Sequence, residues 1–159
     1  MTAGPAITVL GVGNPIMGDD GVGLELLAAV QSACPDPRIE YVDGGTGGME
    51  LIPVVQEADR LLVLDAVAGD VPGTVVRLDG DQIPRMLAAK LSPHQVGLLD
   101  VFAAARLLGR EPGRVAVIGV VPGPLDVRLG LSEPVAAAVP VASRRACDVL
   151  GAWLEEEPA

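Results

Sequence analysis

Arg60 to Ala66 (Arg-Leu-Leu-Val-Leu-Asp-Ala) is the strongest strand signal in the chain, and it sits in a series where short apolar runs alternate with helical segments. Ile7 to Val12 is a β-branched run punctuated by glycine, which reads as a strand buried on both faces. Ile39 to Val42, Thr74 to Leu78 and Val115 to Val121 supply the other strands. Between them, Val22, Leu26, Ala29 and Val30 recur at helical spacing, which places a helix over Asp20 to about Ala33 before Cys34-Pro-Asp-Pro37 stops it. Met49 to Glu57 offers a short helix that Pro53 limits or opens. Val96 to Leu108 is helical, with Leu99, Phe102, Ala103 and Arg106 in register. A last helix runs from Glu133 and Pro134 towards Leu154, capped by Ser132 and kinked at Pro140. Such alternation predicts an α/β chain: a single three-layer α/β/α domain, residues 1–159, with a mainly parallel sheet covered on both faces.

Composition excludes several classes of function. Half of the 159 residues are hydrophobic, enough for a substantial core, but one Trp, one Tyr and one Phe leave that core to Val, Leu, Ile and Ala. The formal net charge is -10, and Lys90 is the only lysine, so neither nucleic acid nor an anionic membrane surface is an expected partner. No stretch approaches the ~20 apolar residues that span a bilayer, so no membrane insertion is expected. No secretory signal is visible at Met1 to Ala6, and Cys34 and Cys147 form no Cys-x-x-Cys pair. Two reduced thiols and a cytoplasmic location are expected.

The turn after the first strand is Gly11-Val-Gly-Asn-Pro-Ile-Met-Gly-Asp-Asp-Gly-Val-Gly23. A dinucleotide-binding turn would need its third glycine at position 16, which is Ile16, and Asp19 and Asp20 would repel a pyrophosphate. There is no Gly-Lys-Ser/Thr for a nucleoside triphosphate either. Acidic residues are favoured at helix starts, and that role is assigned mainly to Asp19; a single cap needs one acceptor, which leaves Asp20 for chemistry.

Asp65 closes the run Leu61-Leu-Val-Leu64 at the carboxyl end of a central strand, the edge where open α/β sheets bind ligands. A carboxylate there is costly to desolvate unless it meets a cation or hydrogen-bond donors, although capping the next turn is the plain alternative. The loop Asp43-Gly44-Gly45-Thr46-Gly-Gly48 emerges at the same edge, with glycines that permit close backbone approach to a partner or a merely permissive turn. His94, the only histidine, lies in Ser92-Pro-His-Gln95 ahead of a helix that can reach that rim. One imidazole excludes a His-Glu-x-x-His zinc site; two carboxylates and one imidazole suit transient binding of a divalent metal with open coordination positions. An aspartic dyad of Asp20 and Asp65 lacks the usual Asp-Thr/Ser-Gly flanks, and no serine has a Gly-x-Ser-x-Gly setting.

Together, Gly11-x-Gly-Asn-x-x-x-x-Asp-Asp-Gly-x-Gly23, Asp43-Gly-Gly-Thr46 with Gly48-Met-Glu-Leu51, Leu64-Asp-Ala66 and Ser92-Pro-His-Gln-x-Gly-Leu98 resemble the nickel-iron hydrogenase maturation endopeptidases. The likeness extends through Gly119-Val-Val-Pro122 and Gly130-Leu-Ser132, and Ser-Pro-His-Gln especially resembles the branch that processes uptake-type large subunits. The resemblance implies a phosphorylase/hydrolase-like α/β/α domain and a protease that removes a short C-terminal extension from the large-subunit precursor after nickel insertion. Nickel, carried by the precursor, would be the recognition element, with no permanent metal on the protease. The implied metal-contacting and catalytic residues are Asp20, Asp65 and His94, with Asp43, Gly44, Gly45 and Thr46 holding the substrate tail. Family members carry Glu or Asp at the position of Asp20, so Asp shortens the reach by one methylene.

Whether a carboxylate or the metal activates water stays open at this level. A non-catalytic nickel chaperone or assembly factor could use the same three residues, but such proteins are usually rich in His or Cys, and this chain has one and two.

Overall fold

The computed structural model describes residues 7–46, 48–80, 101–123 and 126–156. Five strands, β1 (Ile7–Gly11), β2 (Ile39–Asp43), β3 (Arg60–Ala66), β4 (Val75–Asp79) and β5 (Arg114–Val120), form one sheet in the order β2-β1-β3-β5-β4. β2, β1, β3 and β5 are parallel, and β4 runs antiparallel along the edge of β5. The mainly parallel sheet expected from the sequence is therefore present. Its exception has a simple cause: residues 67–74 are too few for the crossover of a dozen or more residues that another parallel strand would need. Instead the chain turns over, with Gly73 N–H donating to the Val121 carbonyl and Val121 N–H to the Thr74 carbonyl.

Helix α1 (Val22–Ala33) follows a single 3₁₀ turn at Gly18–Gly21, so the regular helix begins two residues after Asp20. Met49–Leu51 is also 3₁₀ and leads into α2 (Ile52–Glu57); Pro53 lies in its first turn, where its missing N–H costs nothing. Residues 101–107 are helical and are termed α3; the part of the expected helix from Val96 to residue 100 lies outside the described residues. The last helix, α4, spans Glu133–Glu155 and continues through Pro140.

Alternation along the strands sorts the core into two. On one face, Leu62, Leu64, Ala66, Ala116, Ile118 and Val120 pack with Val22, Leu26 and Val30 of α1 and with Ala142, Ala146, Leu150 and Trp153 of α4. On the other, Leu61, Val63 and Val117 pack with Val55 of α2 and with Val101 and Ala105 of α3. The three-layer α/β/α arrangement follows. Leu61, Leu62 and Leu64 are 0% exposed, each burial contributing about 1.5–3 kcal/mol, which makes β3 the thermodynamic centre of the sheet.

Candidate active site

The strand order decides where a ligand can bind. From β1 the chain passes through α1 to β2 on one side; α2 then returns it to β3 on the other side of β1. The crevice outside the carboxyl ends of β1 and β3 is thus the topological switch point. The register places Gly11 between Asp43 and Leu64, so Asp65 stands one residue beyond the end of β1. Three loops meet there. Gly44 N–H donates to the Gly11 carbonyl (2.8 Å), Gly13 N–H to the Gly45 carbonyl (2.7 Å) and Val12 N–H to the Leu64 carbonyl (3.0 Å).

Both predicted carboxylates sit at this edge and both are buried: Asp20 is 5% exposed and Asp65 0%. The Asn14 N–H donates to Asp20 Oδ2 at 3.1 Å, across the turn that follows β1. Asp65 Oδ1 accepts the N–H of Ala66 at 2.7 Å. The 3₁₀ turn carrying Asp20 packs on β3, the strand that carries Asp65 one residue before its carboxyl end, so both residues border the switch point. His94, the third predicted member, lies outside the described residues. Among the described residues, no group of three His, Cys, Asp or Glu is assembled as a metal site.

The loop at Asp43 is where the sequence placed it. Asp43 and Thr46 are exposed, Gly44 and Gly45 half-buried. Asp43 Oδ1 accepts the Gly45 N–H (2.9 Å), an Asx turn that shapes the loop from within. Gly44 leaves no room for a side chain, since a Cβ would lie 2.8 Å from Leu10 Cδ1 and 2.9 Å from Val12 Cγ1.

Asp19 does not do what its position suggested. Neither the 3₁₀ turn nor α1 has a side-chain cap. Asp19 instead reaches the loop between β5 and α4: its Oδ1 accepts the Ser132 N–H (2.6 Å), and its Oδ2 accepts the Ser132 hydroxyl (2.7 Å) and the Gly123 N–H (2.9 Å). Burial by itself would raise its pKa. The hydrogen bonds from Ser132 and Gly123, with the charge of Arg128, outweigh that and hold the carboxyl below its usual 3.8. Ser132 does occupy the N-cap of α4, but its hydroxyl makes no cap hydrogen bond. Two residues with plausible local caps thus serve each other over a long range. Each had a sufficient local role, so no sequence signal linked them.

Comparison with known proteins bears on what such a crevice does. The chain matches the family of HycI hydrogenase maturation proteases over residues 24–149. It is 37% identical over 137 residues to the Hydrogenase 2 maturation protease of Escherichia coli K12, covering 84% of this chain and 83% of that protein. To the hydrogenase expression/formation protein HupD of Rhizobium leguminosarum bv. viciae it is 38% identical over 153 residues, 94% and 76% of the two chains. The solved structure of the hydrogenase maturating endopeptidase HybD from E. coli matches with a TM-score of 0.84 at 36% identity over 91% of each chain. Sequence and fold agree, and the protein belongs to the hydrogenase maturation protease family.

Proposed function

We propose that this protease removes the C-terminal extension of the large-subunit precursor of a nickel-iron hydrogenase after nickel insertion, with Asp20, Asp65 and His94 contacting the nickel that the precursor carries. The observation that carries the reading is the placement of Asp20 and Asp65, two buried carboxylates, one on the turn that follows β1 and one near the carboxyl end of β3, at the switch-point edge in a member of this family. Oxygen donors of this kind suit a divalent ion held briefly rather than owned. Nickel is therefore part of the substrate, and its docking would align the scissile peptide beside the carboxylates. Hydrolysis needs a base to take the proton of the attacking water; a carboxylate of this pair can supply it, with the precursor's ion polarising the peptide carbonyl. The exposed Asp43–Thr46 loop, adjoining the crevice through the Gly13–Gly45 hydrogen bond, would hold the tail. The reaction belongs in the cytoplasm, before the assembled enzyme is exported. Among the described residues no helix is long and apolar enough to cross a membrane.

The test is incubation with nickel-loaded and nickel-free precursor, followed by mass measurement. Loss of the tail from the loaded form alone supports the reading, and equal cleavage of both forms removes nickel recognition. Binding of precursor without any mass change would make the chain an assembly factor instead. His94→Ala should abolish cleavage of the loaded form.

A further inference from the structure

Asp20 is held in a loop that would be mobile by composition: between Gly11 and Gly23, five positions are glycine. Its neighbour supplies the restraint. In a 3₁₀ turn, successive side chains project about 120° apart, so the adjacent carboxylates of Asp19 and Asp20 serve different partners. Asp20 turns to the Asn14 N–H and the crevice. Asp19 turns to Gly123 and Ser132, on the loop that follows β5. Three donors converge on one buried carboxylate at 2.6–2.9 Å, whereas one would satisfy a cap. The same two loops are also joined through backbone: Arg128 N–H donates to the Ile16 carbonyl (3.0 Å) and Gly18 N–H to the Arg128 carbonyl (2.9 Å).

From this geometry we infer that Asp19 and Ser132 form a positioning clamp for Asp20, which fixes the 3₁₀ turn so that the Asp20 carboxylate is preset at the crevice before substrate arrives. The inference rests on the proposed role of Asp20 and adds two residues to the machinery, neither touching substrate. Displacement of a reacting group by about 1 Å costs on the order of 100-fold in rate. Loosening the turn should therefore lower kcat and leave precursor binding largely unchanged.

The experiment compares cleavage kinetics of nickel-loaded precursor by the wild type, Asp20→Asn, Asp19→Asn, Ser132→Ala, Ser132→Thr and Tyr41→Phe, with melting temperature measured on each. Tyr41→Phe is the stability control, since it removes a hydrogen bond to the Cys34 carbonyl, remote from the crevice. Expected are a fall in kcat of roughly 10- to 100-fold for Asp19→Asn, a smaller fall for Ser132→Ala, little change in KM, and recovery in Ser132→Thr, which keeps the hydroxyl. Tyr41→Phe should lose melting temperature but no kcat. If Asp19→Asn is too unstable to assay, the Ser132→Ala and Ser132→Thr pair carries the test alone. Wild-type kcat in Ser132→Ala and Asp19→Asn, or an equal fall in Tyr41→Phe, overturns the clamp. Those results stand apart from failure of the proposed function, in which the wild type removes no tail or Asp20→Asn removes it at the wild-type rate.

Discussion

Gly23 lies so close to Leu64 that a Cβ on it would sit 2.5 Å from the Leu64 carbonyl oxygen, and 2.1 Å from that of Val12. The start of α1 is therefore seated directly on the backbone of β1 and β3, beside Asp65. Backbone carbonyls cannot swing away as a flexible side chain can. Gly23→Ala should destabilise the protein by about 1–3 kcal/mol, seen as a lower urea midpoint. Gly151 in α4 has open space around it, so Gly151→Ala should stabilise by about 0.5–1 kcal/mol through helix propensity. A similar response at both sites would refute the steric account of Gly23.

At the crevice, Asp20→Asn keeps an acceptor for the Asn14 N–H but removes the charge. Tail removal from nickel-loaded precursor should fall by about 100-fold or more with the melting temperature little changed. Asp20→Glu should retain much of the activity, since it keeps the charge and adds one methylene of reach. The measurement is initial cleavage rate by mass spectrometry.

Asp19 gives a dependence on pH with a definite sign. Its carboxyl is held below 3.8 in the folded protein, because the donors of Ser132 and Gly123 and the charge of Arg128 overcome the effect of burial. A depressed pKa contributes stability that is present above the unfolded value and lost as pH falls through the folded one. The stability gap between wild type and Asp19→Asn should therefore be constant from neutral pH to about 4 and shrink below 3.8. Urea midpoints between about pH 2 and 7 measure it. A gap that widens on acidification contradicts the assignment.

Cys147 should be a poor nucleophile. Burial first, then the hydrogen bond and charge of neighbouring Cys34, push its thiol up to about 12. At pH 8 it should alkylate at least about 100-fold more slowly than a free thiol, and Cys34→Ala should speed it. Peptide mapping after timed iodoacetamide treatment reads both rates.

The sheet was legible because its signals are local and strong. The run at Arg60 to Ala66 became β3 with the bounds read from sequence, and the apolar positions of α1 recur where they meet the strands. Less visible were the 3₁₀ turn that delays α1 to Val22 and the antiparallel direction of β4. The first depends on how a glycine-rich loop packs. The second depends on a connection too short for a crossover, which composition does not announce. Asp65 was read as a strand-end carboxylate and Asp20 as a carboxylate of the turn before the first helix, and both lie at that edge.

Periodicity and glycine placement were enough for an α/β/α chain with acidic residues in the turn after β1 and at the carboxyl end of β3, because strand and helix periods and loop chemistry are written residue by residue. The partner of Asp19 was not. Asp19 and Ser132 are 113 positions apart, and each could have satisfied a helix end nearby. Only the stacking of β1, β3 and β5 in one sheet brings their loops together. Once they meet, a buried carboxylate with three donors at hand replaces two separate caps. That long-range choice, made by packing, is what holds Asp20 in place.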